Sequence, residues 1–363
     1  MPNIDHRVVT LRLPDIKPYL VTRRLIPENQ EAPIHFISAA ITPEQYFYRR
    51  NHFPYPVISE QSFLLSIGGE VKRPLTFHYQ DLLRMPSKEM TVVLECSGNN
   101  RGHFRPRVYG EQWEGGAISQ GVWRGAPLRD LLKLTGLHAA SKEIVFEGHD
   151  YGKRTDLEGE FMFARSLPLE KALHPDTLIA YALNGKPIPY KQGYPLRLIV
   201  PQWYAMASVK WLRSITVIET HFNGPYQDID YVYYPAKDSD AGKMPVTTIH
   251  VNSIIQQPLN WSVLTTGMHQ LYGIAWTGTG FITNVEISID GGERWEQAAI
   301  QKYPGNPYSW TFWSYIWAAP KKGEYTIMSR ATDSIGFVQP PEARWNRKGY
   351  GYNAYSTVHV KVD

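Results

Sequence analysis

The spacing of apolar residues changes between residues 221 and 245, and the chain on either side of that stretch calls for a different architecture. Before it, TVVLE (91–95), EIVFEG (143–148) and LRLIVP (196–201) are short, β-branched-rich runs of the kind that form buried strands. Among them, APLRDLLKLTGL (126–137) sets Leu128, Leu131, Leu132 and Leu134 at helical spacing with Gly136 near its end. PLEKALHPDTLIAYALNG (168–185) reads as helical patches broken by Pro175. This mixture predicts a mixed α/β domain over residues 41–235. HFNGPYQDIDYVYYPAKDSDAGKMP (221–245), rich in Tyr, Asp, Pro and Gly, reads as a long connection. Beyond it almost nothing has helical spacing. VEISIDGGERWEQAAI (285–300) alternates Val285, Ile287 and Ile289, then turns at Asp290-Gly291-Gly292. YSWTFWSYIWAAP (308–320), EYTIMSRATDS (324–334) and the closing YSTVHVKVD continue the alternation, which predicts an immunoglobulin-like β-sandwich over residues 245–363. The whole chain is therefore expected to be α+β. Seven of the eleven Trp follow residue 245, where they are expected to fill the sandwich core or a subunit interface. Residues 1–40, punctuated by Pro14, Pro18, Pro27 and Pro33, read as an irregular arm.

The net charge of +4 argues against a nucleic-acid coat. No apolar stretch approaches the ~20 residues needed to span a bilayer, so no membrane partner is expected. Arg23-Arg24 is followed by Leu25, Ile26, Pro27 and Glu28 rather than by the apolar core of an export signal. A cytoplasmic location is expected, or a periplasmic one if an export signal has been removed.

The stretch VLECSGNNRGH (93–103) holds the chain's single cysteine, just past an apolar run. Three readings of Cys96 stand side by side. A lone cysteine is commonly an inert buried hydrophobe. It is also a nucleophile when a base such as His103 lies near it in space. Finally, it is a sufficient protein ligand for a soft metal whose other ligands come from an organic cofactor. A phosphorylated cofactor needs cationic groups to hold it, and Arg50, Arg101, Arg105, Arg107 and Arg197 are candidates. A zinc or iron–sulfur site built by this chain alone fails on the residues: there is one Cys, and the 12 His show no HExxH spacing.

ECSGNNR (95–101), followed by WEGGAISQGVWRGAPLRDLL (113–132), resembles the molybdenum-ligand loop of the sulfite oxidase family. FYRRNHFP (47–54), EGHDYG (147–152), GYPLRLIVP (193–201), SVKWL (208–212) and YQDIDY (226–231) resemble further motifs of that family, in the same order. ATDSIGFVQP (331–340) and WNRKGYGYNAY (345–355) resemble its C-terminal dimerisation domain. The likeness runs from about residue 40 to the end.

That resemblance implies a molybdenum–molybdopterin cofactor with Cys96 as the thiolate on the metal, in a molybdopterin-binding domain followed by a dimerisation domain. It implies that Tyr48, Arg49, Arg50, Asn51 and His52 line the pterin and metal. Asp150, Gln192, Arg197, Ser208, Val209 and Lys210 would hold the pterin and its phosphate. Arg50, Arg101, Trp113 and Tyr231 would form the pocket of a small oxyanion substrate. The reaction implied is oxidation of sulfite to sulfate, with reduction of nitrate, another oxyanion or a sulfoxide as the alternative, and a scaffold that has lost its metal as the rival outside catalysis. Three positions depart from the family pattern: Asn100 stands where many members have arginine, Tyr109 where animal members have a pocket lysine, and Gln192 where a histidine faces the cofactor. Arg105 or Arg107 is expected to replace the missing lysine. One cysteine excludes a CxxCH haem attachment in this chain, so electrons are expected to leave to a separate acceptor, a cytochrome or another oxidant. A homodimer is implied.

Overall fold

The computed structural model describes residues 18–301 and 306–363. The first part of the chain builds two five-stranded sheets around a shared core. In one, Lys88–Glu95, Ile118–Pro127, Leu178–Leu183 and Lys186–Pro187 follow one another antiparallel, and Arg197–Ile199 also pairs with Leu178–Leu183. In the other, Leu212–Ile218 lies between Leu64–Gly69, to which it is parallel, and the long strand Glu143–Lys153; Leu75–His78 and Glu160–Pro168 form the edges. The helix Leu128–Thr135 buries Leu128, Leu131, Leu132 and Thr135 on one face. It stops at Gly136, whose φ of 68° is the left-handed conformation that glycine adopts at little cost.

Two expectations for this part are corrected. LIAYAL within 168–185 is a strand, not a helical patch; only Leu169–Ala172 is helical there. A short apolar run buried on both faces carries no periodicity to separate strand from helix. The arm is also not irregular where it is described. Val21–Arg24 and Asn29–Glu31 form an antiparallel hairpin that bridges on to Arg49. Glu31 fastens it by accepting the N–H groups of Glu114 (2.8 Å) and Gly116 (2.9 Å), with Arg23 Nε at 2.6 Å. These partners lie far away in sequence, so local pattern could not show them. Residues 1–17 of the expected arm lie outside the described residues.

The second part is a two-sheet sandwich, as expected. One sheet orders Asn252–Gln257, Gly267–Trp276, Thr311–Ala319 and Ala299–Gln301; the other orders Ser262–Leu264, Ser356–Val362, Gly323–Asp333, Ile282–Ser288 and Glu296–Gln297. Val285, Ile287, Ile327, Ala331, Val358 and Val360 fill the space between them. Trp313 and Trp317 belong to that core. Trp276 and Trp310 are equally buried but pack into the core of the first part, so they join the two domains instead. Trp261 is exposed.

Candidate cofactor and active site

Cys96 sits where the strand Lys88–Glu95 ends, on a turn held by its own backbone. Cys96 N–H donates to Ala117 O (2.9 Å) and Asn99 N–H to Cys96 O (2.8 Å). The Asn99 side chain closes the turn, accepting from Ala117 N (3.0 Å) and donating to Glu95 Oε1 (3.1 Å). Glu95 Oε2 accepts from Trp276 Nε1 at 2.8 Å, which ties the cysteine turn to the sandwich domain. Burial pushes the Glu95 carboxyl up to about 8, against the two hydrogen bonds that favour its charge. Gly98 is required by close approach: a Cβ there would lie 2.6–2.7 Å from the Arg101 guanidinium.

A cleft opens beside this turn. The segment 48–52 crosses one side and contributes Tyr48, Arg50, Asn51 and His52. Gln192, Arg197, Ser208, Lys210, Asp150, Cys96 and Tyr231 line it as well. Residues separated by up to 183 positions in sequence thus meet on one wall. Arg197 is buried and makes no ion pair among the described residues. Its Nη1 donates to Gln192 O (3.1 Å) and its Nε to Ser208 O (3.2 Å), and burial pushes it down to about 10. Lys210 Nζ donates to Arg50 O at 3.1 Å and to Asn51 Oδ1; burial first, then Arg197, pushes it well below the ordinary lysine range. The Asp150 carboxyl is pushed up to about 7 by burial, with Lys210 opposing, and its Oδ1 is buried without a partner. Gly148 makes room for that oxygen, since a Cβ at 148 would lie 2.5 Å from it and 2.8 Å from Lys210 O.

In the same cleft, Tyr231 Oη and His52 Nε2 are 2.6 Å apart. Burial, and then Arg50, Arg154 and Lys210, holds His52 well below its ordinary range, so the ring is neutral at pH 7. The Arg50 guanidinium lies 3.3 Å from His52 Nδ1 and has no carboxylate partner among the described residues. Tyr231 has a φ of 52°, strained for a bulky residue, and strain of this kind concentrates at functional sites. Its carbonyl accepts Val246 N–H at 2.8 Å.

Four expected site residues lie off this wall. Arg49 turns to the N-terminal hairpin, donating to Gln30 Oε1 at 2.6 Å. Val209 is packed into the hydrophobic core. Trp113 is fully buried in the core behind the cysteine turn. Arg101 is buried with Nε donating to Lys348 O (3.1 Å) and Gly349 O (3.2 Å) and Nη1 to Glu111 O (3.1 Å), and its guanidinium lies over the Tyr350 ring at 5.0 Å. Arg105 and Arg107 point away to backbone Gly102 O and to Gln112, and Tyr109 is exposed, so none of them takes the place of a pocket lysine.

The sequence reading missed Phe163, which stacks on His52 (5.2 Å, 17°), and buried Arg165, 5.5 Å from the Tyr231 ring centroid. It also missed Tyr350, stacked on Tyr231 at 5.4 Å. Phe163 and Arg165 belong to an edge strand with no distinguishing motif. Tyr350 lay inside a motif assigned to dimerisation.

The donor set fits a molybdenum–pterin group. One soft sulfur is available on the wall. Burial, the largest influence, pushes its thiol up while Arg50 and Arg101 pull it down, so a bound metal would replace the proton. Among the described residues no group of three or more His, Cys, Asp or Glu side chains converges on a point, so a metal here takes its other ligands from a bound group. Two guanidiniums, the Lys210 amine and one unpartnered acceptor suit a phosphorylated ring system bearing N–H donors.

The description "oxidoreductase molybdopterin binding domain" matches residues 52–226, and "Mo-co oxidoreductase dimerisation domain" matches residues 243–363. The chain is 32% identical over 356 residues to mitochondrial sulfite oxidase of Mus musculus, a match covering 93% of this chain and 64% of that protein's length. It is 31% identical over 392 residues to sulfite oxidase of Arabidopsis thaliana, with 100% of this chain and 99% of that protein covered. The structure of sulfane dehydrogenase SoxCD from Paracoccus pantotrophus superposes with a TM-score of 0.82 at 28% identity, covering 98% of this chain and 92% of that one. The chain spans about two thirds of the mouse protein and nearly all of the plant one, and it belongs to the sulfite oxidase family of molybdopterin oxidoreductases.

Proposed function

We propose that the protein oxidises sulfite to sulfate, with Cys96 the thiolate on molybdenum and Tyr48, Asn51, His52, Asp150, Gln192, Arg197, Ser208 and Lys210 holding the pterin. Bound there, the molybdenum–pterin group supplies oxygen-atom transfer and takes up two electrons. The chain's own residues bind the anion and move protons. Arg50 offers a guanidinium with no carboxylate competing for it among the described residues, lining the same cleft as Cys96 and Tyr231; this arrangement carries the reading. A fixed cation facing an oxyanion binds it and counters the charge that shifts during transfer. Neutral His52 does not neutralise that cation and accepts or donates one hydrogen bond to Tyr231. Sulfite and water become sulfate with release of two protons, and the Tyr231–His52 pair is the route the chain provides for them. Trp113 and Arg101 act from behind the wall, Arg101 by fixing Tyr350 against Tyr231.

Arg50→Gln raises the KM for sulfite about 10- to 100-fold, the scale of a lost charge-assisted contact, with a smaller change in kcat. Steady-state ferricyanide reduction at varied sulfite measures this. An unchanged KM removes Arg50 from the substrate pocket. Absence of sulfite turnover together with nitrate reduction by a reduced viologen dye replaces sulfite with nitrate.

The dimerisation-domain match also supports a homodimer. Phe281, Ile335, Phe337 and Val338 are exposed on neighbouring turns of the sandwich, joined by Ser334 N–H donating to Phe281 O at 2.8 Å. Static light scattering of the purified protein gives a mass of about twice the chain's, and a monomer at micromolar concentration contradicts it.

A further inference from the structure

A second cleft, of ≈ 500 Å³, opens between the connection 233–250 and the loop 344–353. Its lining is mostly apolar and aromatic. Tyr233 and His250 stack nearly parallel (5.8 Å, 9°), and Met244, Trp345 and Tyr350 face the same space. Arg344 stands exposed at its edge, with no ion pair to its guanidinium among the described residues. The back of this cleft is shared with the first site. Tyr350 lines it and stacks on Tyr231, which lines the other. Gly351, also on its wall, donates its N–H to Ser97 O at 2.8 Å, and Ser97 directly follows Cys96. The floor of the second cleft is thus one hydrogen bond from the peptide that carries the thiol.

A molecule seated there is screened from Cys96 by Tyr350 and cannot react as the oxyanion does. Electron transfer needs only a short path, and the path exists. The mostly apolar lining is that of a small-molecule site. An aromatic lining of Tyr233, His250, Trp345 and Tyr350 favours a planar conjugated ligand, and a guanidinium without an ion pair among the described residues favours one bearing carbonyl or acidic oxygen. We propose that this cleft binds the electron acceptor as a planar conjugated ring with carbonyl oxygens, of the quinone or flavin class. The inference rests on the redox reading of the first cleft. The balance closes without a further reactant: sulfite and water yield sulfate, two electrons and two protons, and the ring takes two electrons and two protons and leaves in its dihydro form.

The test uses molybdenum-loaded protein, a water-soluble naphthoquinone and flavin mononucleotide. Calorimetric titration finds one site for one of the two rings, and sulfite reduces that ring in steady state. Met244→Trp, which fills the cleft from an exposed position, raises the KM for the ring at least tenfold and leaves the ferricyanide-dependent rate and the thermal midpoint unchanged. Arg344→Ala raises the same KM. Ferricyanide turnover with neither ring bound below about 1 mM overturns the inference alone, as does an equal effect of Met244→Trp on both acceptors. No sulfite-dependent ferricyanide turnover at all overturns the reading of the first cleft, and the acceptor role with it.

Discussion

Cys96→Ala lowers sulfite-dependent dye reduction on the order of 10³-fold or more, the scale on which loss of a group at a reacting centre is felt, while the chain remains folded. The two halves of this expectation come from different parts of the structure. The turn does not depend on the thiol: the Cys96 N–H and C=O bonds, the Asn99 clamp and the Glu95–Trp276 bond all survive the substitution. Removing one buried sulfur costs about 1 kcal/mol, so the thermal midpoint moves by only a few degrees. Activity responds otherwise because Cys96 is the one thiol in the chain and lies on the cleft wall beside Arg50. An inert buried cysteine predicts the opposite outcome, with turnover unchanged. Thermal denaturation and the dye assay on the same preparation separate the two.

Tyr231→Phe lowers kcat about 10²- to 10³-fold, within the range of a lost proton-transfer group, and changes the KM less. Phenylalanine keeps the ring that stacks on Tyr350 and covers Arg165. It loses only the hydroxyl 2.6 Å from His52 Nε2. His52 is then buried without that partner, which costs about 1–3 kcal/mol and lowers the thermal midpoint. Burial holds the Tyr231 phenol far above the ordinary tyrosine range and His52 far below the ordinary histidine range. Neither group changes charge between pH 6 and 9, so the pair passes a proton without storing one. The pH profile of kcat for the tyrosine variant therefore keeps the wild-type shape at a lower plateau. A kcat within twofold of wild type leaves Tyr231 a packing residue.

Much of this site was legible because its residues come in contiguous motifs. The run Tyr48-Arg49-Arg50-Asn51-His52 and the cysteine turn are read directly; all of the run but Arg49 reaches the cleft, and Cys96 and Ser97 reach it from the turn. What sequence could not show was which side of a wall each side chain takes. Arg101 and Trp113 belong to the right segments, yet three glycines crowd the Arg101 side chain, Gly98, Gly110 and Gly349, and its donors turn to backbone carbonyls. Trp113 points into the core. In the fold, amphipathic spacing found the helix Leu128–Thr135, and alternation found the sandwich strands. Leu178–Leu183, buried on both sides, offered no alternation to find. The hairpin at 21–31 is held by Arg49, Glu114 and Gly116, and Trp276 by Glu95, 181 residues away; long-range pairings of this kind leave no local trace.

The account turns on one bond between the Cys96 sulfur and molybdenum, and X-ray absorption at the molybdenum edge addresses it directly. Purified wild-type protein is compared with Cys96→Ser, which keeps the size of the side chain and removes the soft donor. The account predicts one fewer sulfur in the metal's inner shell in the variant. An identical sulfur count in both proteins, with molybdenum present in each, contradicts it.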